Sequence, residues 1–299
     1  DYRHTFKNGL HFGVTASVAD DKTEVTKWTY NTKIPSYGAT GWWDKSAYKE
    51  GMVLGDIWGL QFDRFLTEDD FNADGSLKAG LPDQTKVFPA GYQFAPGDVL
   101  YKDLDNNGEI VKQTNTNDKG DLSVIGNALP RLQFGLNLDA AWKGFDISMF
   151  FQGVAKRKLW AAGNQVLPGF TTGEPFYKGA EDYWTPENTD AFYPRPMDYK
   201  QSASGNYSVN DRYLLNMAYL RLKTFTVGYS LPKVWLSKFK VQGLRVYFTG
   251  ENLFTIDGVK PAIDPEIGIR TASGKSDQRN FGRSYPYQKT VSFGIQLSL

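Results

Sequence analysis

The sequence predicts an all-β chain built from long antiparallel strands, and three observations carry that prediction. Apolar and polar residues alternate through several long segments, which places one residue set on each face of a strand. The connections between those segments are by turns very short and very long. The composition, with 30 glycines and 15% aromatic residues among 299, suits a turn-rich β chain better than a helical one.

Six strands follow from the alternation, at about 10–19, 131–142, 144–154, 219–230, 243–254 and 287–299. In the first, Leu10, Phe12, Val14, Ala16 and Val18 oppose His11, Gly13, Thr15 and Ser17. The second and third form a hairpin: Leu132, Phe134, Leu136, Leu138, Ala140 and Trp142 lead to a turn at Lys143 and Gly144. Phe145, Ile147, Met149 and Phe151 then lead back. Phe150 interrupts the polar face of the return strand. In the fourth, Leu220 and Leu222 share a parity that Phe225, Val227 and Tyr229 do not. A β-bulge would restore one face there, as would an apolar band covering only the lower half of the strand. Leu244, Val246 and Phe248 mark the fifth strand, and Val291, Phe293, Ile295, Leu297 and Leu299 the sixth. Ahead of them, Asp1 reads as lying near the end of a further strand, with a tight turn at 7–9.

Roughly 110 residues separate Val18 from Leu132, and about 65 separate Gln152 from Leu220. Connections of that length are rare in a compact domain, whereas outer-membrane barrels combine short periplasmic turns with long extracellular loops. The alternation by itself fits two architectures, a soluble β-sandwich with large insertions or a sheet that faces lipid. A Gly, Ser, Thr, Asn and Gln-rich opposing face suits a polar lumen. Trp142, Phe145, Tyr229 and Trp235 near the turns suit an interfacial girdle.

A formal net charge of +1 gives no reason to expect nucleic acid as a partner. Two histidines and no cysteine remove the usual material for zinc, thiol catalysis and disulfides. No apolar run approaches the roughly 18 residues of a membrane helix, and the mean hydropathy is −0.47. Neither fact bears on a barrel. Neither a Gly-x-Ser-x-Gly elbow nor a phosphate-cradling loop occurs, so no enzymatic activity is expected.

Several motifs, in order, resemble those of the SusC/RagA family of TonB-linked outer-membrane proteins. They begin with Gly97-Asp98-Val99-Leu100-Tyr101-Lys102-Asp103-Leu104-Asp105-Asn106-Asn107-Gly108, Ile125-Gly126-Asn127 and Pro130-Arg131. Phe150-Phe151-Gln152-Gly153, Tyr183-Trp184-Thr185-Pro186-Glu187-Asn188 and Tyr219-Leu220-Arg221-Leu222-Lys223 follow. Gly228-Tyr229-Ser230-Leu231-Pro232, Gly250-Glu251-Asn252-Leu253 and Tyr285-Pro286 complete the set. The resemblance implies six C-terminal strands of a plugged transmembrane β-barrel of about 22 strands. Residues 1–299 would be part of that barrel domain, with long extracellular loops at about 21–130 and 155–218, the C-terminus periplasmic and the plug absent. It further implies TonB-dependent import of an oligosaccharide or peptide across the outer membrane. The partners would be a SusD-like lipoprotein lid, outer-membrane lipid, the rest of the barrel and plug, and TonB through a missing N-terminal part. Members of the family often end in an aromatic residue, whereas this chain ends in Leu299. The alternative class is a surface or secreted β-rich carbohydrate-binding module.

Two residue sets are site candidates. Asp103, Asp105, Asn107 and Glu109 stand at alternating positions around Gly108, a spacing that supplies oxygen ligands for Ca²⁺. With Thr114 where a bidentate Glu would close the loop, Asp118 or Asp121 would have to complete the shell. The plain reading is an Asx-rich turn that needs no metal. Trp42, Trp43, Trp58, Trp160, Tyr183 and Trp184 lie in the long connections, where aromatic faces can bind cargo or pack loop against loop. Glu68, Asp69 and Asp70 read as a solvated acidic face. His4 and His11 read as ordinary strand residues.

Overall fold

The computed structural model describes residues 1–29, 50–115, 118–161, 163–170, 175–197, 205–237, 241–260, 263–266 and 285–298. Eight strands make one antiparallel sheet: β1 (Tyr2–Thr5), β2 (His11–Ala19), β3 (Arg131–Trp142), β4 (Phe145–Lys156), β5 (Tyr219–Ser230), β6 (Gly243–Glu251), β7 (Thr255–Asp257) and β8 (Thr290–Ser298). Their spatial order is β1-β2-β3-β4-β5-β6-β8, and β7 continues the ladder of β5 beyond the end of β6. All six expected strands are present within a few residues of their expected limits, and β1 completes the hairpin around residues 7–9.

The register joins the six alternations into two continuous faces. Val14 lies opposite Leu138, Leu138 opposite Met149, and Met149 opposite Phe225. Farther across, Val227 lies opposite Phe248 and Phe248 opposite Phe293. One face is therefore apolar from β2 to β8. The other carries Thr15, Asn137, Ser148, Thr226, Thr249 and Ser292, with the Thr226 and Thr249 hydroxyls 3.2 Å apart. A one-residue slip anywhere would exchange the faces.

The parity change in β5 is a bulge. Phe150 pairs with Thr224 and Phe151 with Leu222, so Lys223 is the extra residue. That single insertion returns Leu222 and Leu220 to the apolar side, opposite Phe151 and Gly153. Across from it β6 stops at Glu251, Asn252 takes a positive φ of 51°, and pairing resumes in β7. At the opposite end, Lys143 (φ 48°) and Gly144 (φ 88°) form a two-residue turn with both centres left-handed, the geometry that matches strand twist.

The long connections are not structureless. Short ladders join Asp56–Gly59 to Ser123–Asn127, Phe62–Phe65 to Val99–Tyr101, and Lys158–Leu159 to Leu215–Asn216. Nearly all of the fully buried apolar side chains lie there rather than in the sheet. One core gathers Ile57, Leu159, Leu167, Tyr213 and Met217; a second gathers Leu60, Val87, Val99, Tyr101 and Ile110. Each such burial contributes about 2 kcal/mol.

A buried carboxylate ties the second core together. Asp98 accepts from the Tyr92 hydroxyl (2.9 Å), the Ala95 N–H (2.9 Å), the Arg195 Nε (2.8 Å) and the Asn206 amide (2.9 Å). Asn206 in turn accepts from the Val99 N–H at 2.7 Å. Beside Asp98, Gly97 holds φ 90° with the Trp184 ring lying where a Cβ would be. Two segments of the family pattern thus touch each other.

The acidic run at 68–70 departs from the sequence expectation, because Asp70 is buried. Arg64 grips both of its oxygens, at 2.6 and 2.7 Å, and the Thr67 N–H donates to it at 2.8 Å. The Arg64 hydrogen bond is the main reason that its pKa falls from 3.8 to about 2.

Two measurements follow. Asp98→Ala strands Arg195 and Asn206 and is expected to destabilise the connection layer by about 3 kcal/mol. Limited proteolysis should then open sites around 85–100 and 195–207 while the sheet persists. Asp70 is charged in the fold at a pH where the unfolded chain would protonate it. Its contribution is complete above about pH 4 and is lost as pH falls towards 2. Asp70→Asn should flatten the pH dependence of stability across that window.

Candidate functional site

The apolar face of the sheet is uncovered. Phe293 is 82% exposed and Ile295 73% exposed, and no buried core forms against β2, β3 or β8 among the described residues. In water such an expanse is unfavourable. A lipid-facing sheet needs this arrangement, with strands of about 9–11 residues crossing at a tilt. β2, β3, β4, β5, β6 and β8 have 9 to 12 residues each.

The rim at the short turns is aromatic. Phe145 and Tyr229 rings lie 4.5 Å apart, and Trp142 donates its indole N–H to the Asn8 carbonyl of the neighbouring turn at 3.3 Å. Trp235 is 61% exposed on the short helix α1 (Lys233–Leu236). These rings present an apolar body and a polar edge, the combination suited to a membrane interface.

On the polar face, large side chains lie flat across glycines. The Arg245 guanidinium occupies the space above Gly228 while pairing with Asp146, its Nε to Oδ1 at 3.0 Å. The Tyr247 ring does the same over Gly294. Near the bulge, Arg221 is buried and donates to Thr255 (2.8 Å) and Asp264 (2.7 Å), and Lys223 reaches Glu266 at 2.8 Å. Asp264 also accepts the Tyr287 N–H at 3.0 Å. Burial alone would raise the Asp264 pKa; the hydrogen bond from Arg221 and two backbone N–H groups reverse that and lower it. The segment after β7 is thereby fastened to the polar face.

The metal candidates divide. Carboxylate oxygens of Asp103, Asp105 and Asp121 lie within 4.8 Å of one another. Glu109 turns away to pair with Lys86, and the Asn107 oxygen accepts the Glu109 N–H at 2.8 Å. The side chain of Asp118 lies outside the described residues. Asp103 accepts the Gly108 N–H (2.7 Å), and Asp121 accepts those of Leu104 and Val111 (both 2.7 Å). The loop thus closes as an Asx turn on its own backbone donors.

Trp42 and Trp43 lie outside the described residues. Trp160 (3% exposed) and Trp184 (7% exposed) fill the two cores, and Trp58 is half-buried in its ladder. The aromatic surface that is open lies elsewhere, in a cleft of about 410 Å³ lined by Phe176, Tyr177, Tyr183, Tyr193 and Pro194, with Lys178 and Glu181 on its wall. Phe176 and Tyr177 were not singled out in the sequence. They lie just ahead of the short helix at Lys178–Ala180, with Tyr177 as its N-cap, and both are exposed, unlike the core aromatics.

No family model matches the chain. Among curated proteins it is 29% identical over 258 residues to TonB-dependent receptor P3 of Formosa agariphila, covering 83% of this chain and 22% of that receptor. It is 32% identical over 200 residues to TonB-dependent receptor P26 of the same organism, covering 65% and 19%. With TonB-dependent receptor SusC of Bacteroides thetaiotaomicron it shares 25% identity over 242 residues, covering 78% and 22%. The chain thus spans about a fifth of the length of these relatives. Its fold is similar to the RagAB peptide transporter, with a TM-score of 0.64 at 18% identity over 99% of this chain and 28% of that one. The RagAB peptide importer in the open-open state gives 0.61. The two-faced sheet, the ordered motifs and these likenesses agree: over most of its length the chain is similar to TonB-dependent receptors, SusC among them.

Proposed function

We propose that this chain is a C-terminal portion, seven strands across, of the barrel of an importer that carries an oligosaccharide or peptide across the bacterial outer membrane. The single observation that carries the reading is the continuous apolar face, in register from Val14 to Phe293 and uncovered among the described residues. Hydrocarbon tolerates no open sheet edge, so the free edges of β1 and β8 require further strands to close the barrel. The polar face then lines the lumen, where a plug would sit. The short turns lie in the periplasm, and the packed connections stand outside the cell, where a SusD-like lipoprotein would cap them. TonB supplies the energy through a part of the receptor beyond these residues. The cleft at Phe176 and Tyr177 lies in the long 155–218 connection and offers ring faces suited to a sugar or an apolar peptide side chain.

Two adjacent residues test the membrane face. Phe293→Lys in the complete receptor places a charge on the lipid side and should cost about 2–4 kcal/mol, cutting the amount of folded receptor in outer membranes. Ser292→Lys, one residue away on the polar face, should assemble normally. Equal tolerance of both would refute the reading. The import itself is tested in cells lacking the receptor gene, which should lose uptake of one nutrient class, with protonophore abolishing uptake in the parent strain. Uptake that is indifferent to both would contradict it.

The loop at 103–109 is proposed as a Ca²⁺ loop in which Asp121 takes the place expected of Glu109. Tb³⁺ luminescence sensitised by nearby Tyr101 should saturate and be displaced by Ca²⁺, and Asp121→Asn should abolish it. Absence of any signal would leave the loop as a metal-free Asx turn.

A further inference from the structure

The short-turn end of the sheet carries lysines with no acidic counterpart. Lys7 lies in the turn between β1 and β2, Lys143 in that between β3 and β4, and Lys233 on α1 between β5 and β6. All three are exposed, and none pairs with a carboxylate among the described residues. The described residues of those turns contain neither Asp nor Glu. The nearest strand acid, Asp146, is already neutralised by Arg245. At the other end acidic partners are at hand, and Lys22, Lys86 and Lys223 are held by Glu24, Glu109 and Glu266.

The lysines alternate with the aromatic rim. The Lys143 ammonium lies 4.6 Å from the Trp142 ring centre, and Lys233 precedes the exposed Val234 and Trp235. Phe145 and Phe6 are exposed beside them. An apolar ring at the hydrocarbon boundary with a free ammonium just above it has two complementary neighbours in a bilayer, the acyl chains and the headgroup phosphate. Spread over three successive turns, the charges form a row along the membrane plane rather than a pocket. Such a row fits a surface of anionic headgroups better than a single small anion.

We infer that the short-turn rim is a lipid-contact surface selective for anionic glycerophospholipids, with Lys7, Lys143 and Lys233 meeting the headgroups and Trp142, Phe145 and Trp235 the upper acyl chains. The inference rests on the membrane reading above and adds to it a headgroup preference confined to one leaflet.

The test uses the complete receptor purified in detergent and offered phosphatidylglycerol or phosphatidylcholine at equal concentration, with retained lipid counted by native mass spectrometry. The wild type is expected to retain phosphatidylglycerol preferentially, and more so at low salt. Each of Lys7→Gln, Lys143→Gln and Lys233→Gln should reduce that preference roughly fivefold, and the triple variant on the order of a hundredfold. Replacing all three by Arg should preserve it. A control triple, Lys22→Gln, Lys78→Gln and Lys102→Gln, removes the same charge from the long 21–130 connection and should leave the preference intact. Unchanged retention by the rim variant, or an equal loss in the control, overturns the headgroup inference. A wild-type receptor that retains neither lipid overturns the membrane reading itself.

Discussion

Six long strands share one register, and that register leaves an apolar surface that none of the described residues covers. Everything else in the chain is arranged around this constraint. Because side chains alternate with a period of two, the faces stay sorted only if no strand slips relative to its neighbours. Lys223 shows how narrow the tolerance is. One extra residue there shifts the upper part of β5 by one position, and without it Leu222 and Leu220 would point into the polar face while Arg221 met lipid. The bulge instead sends Arg221 inward, where Thr255, Asp264 and the neighbouring Glu266 surround it. A local irregularity thus keeps a charge out of the bilayer and anchors the following segment.

Stability and membrane contact are assigned to different parts of the chain. The sheet is held by its ladders, while the interior typical of a globular protein has moved into the long connections. There the cores close around polar hubs, Asp98 with Arg195 and Asn206, and Asp70 with Arg64. Each hub is a carboxylate with several donors, so its burial is compensated, and the Asp98 hub joins segments distant in sequence. A layer fixed in this way presents a defined surface at the end of the sheet, including the cleft beside Tyr177, instead of a set of independent loops.

The sheet was legible because its signal is local. Leu132 to Trp142 and Val291 to Leu297 announce their faces by alternation alone, and the Lys143-Gly144 turn carries its own geometry. Even the bulge in β5 left a trace, as a parity change between Leu222 and Phe225. The connection layer was not legible for the opposite reason. Asp98 meets Arg195 and Asn206 about a hundred residues away, and nothing beside it announces those partners. Asp70 looked solvated because its neighbours are acidic, yet its environment is set by Arg64. Trp184 could have been a cargo residue or a core residue, and its place against Gly97 decides for packing. In the calcium pattern Asp121, one of the two residues named to complete the shell, does lie beside Asp103 and Asp105, whereas Glu109, placed in the set by its spacing alone, pairs with Lys86.

The two-faced register can be read directly in a membrane. The chain contains no cysteine, so single cysteines introduced along β8 in the complete receptor can be labelled with a fluorophore and exposed to a lipid-phase or an aqueous quencher. The account predicts strict alternation, with positions 291, 293, 295 and 297 quenched from the lipid and 292, 294 and 296 from water. Uniform protection along the strand, or quenching without a period of two, would contradict it.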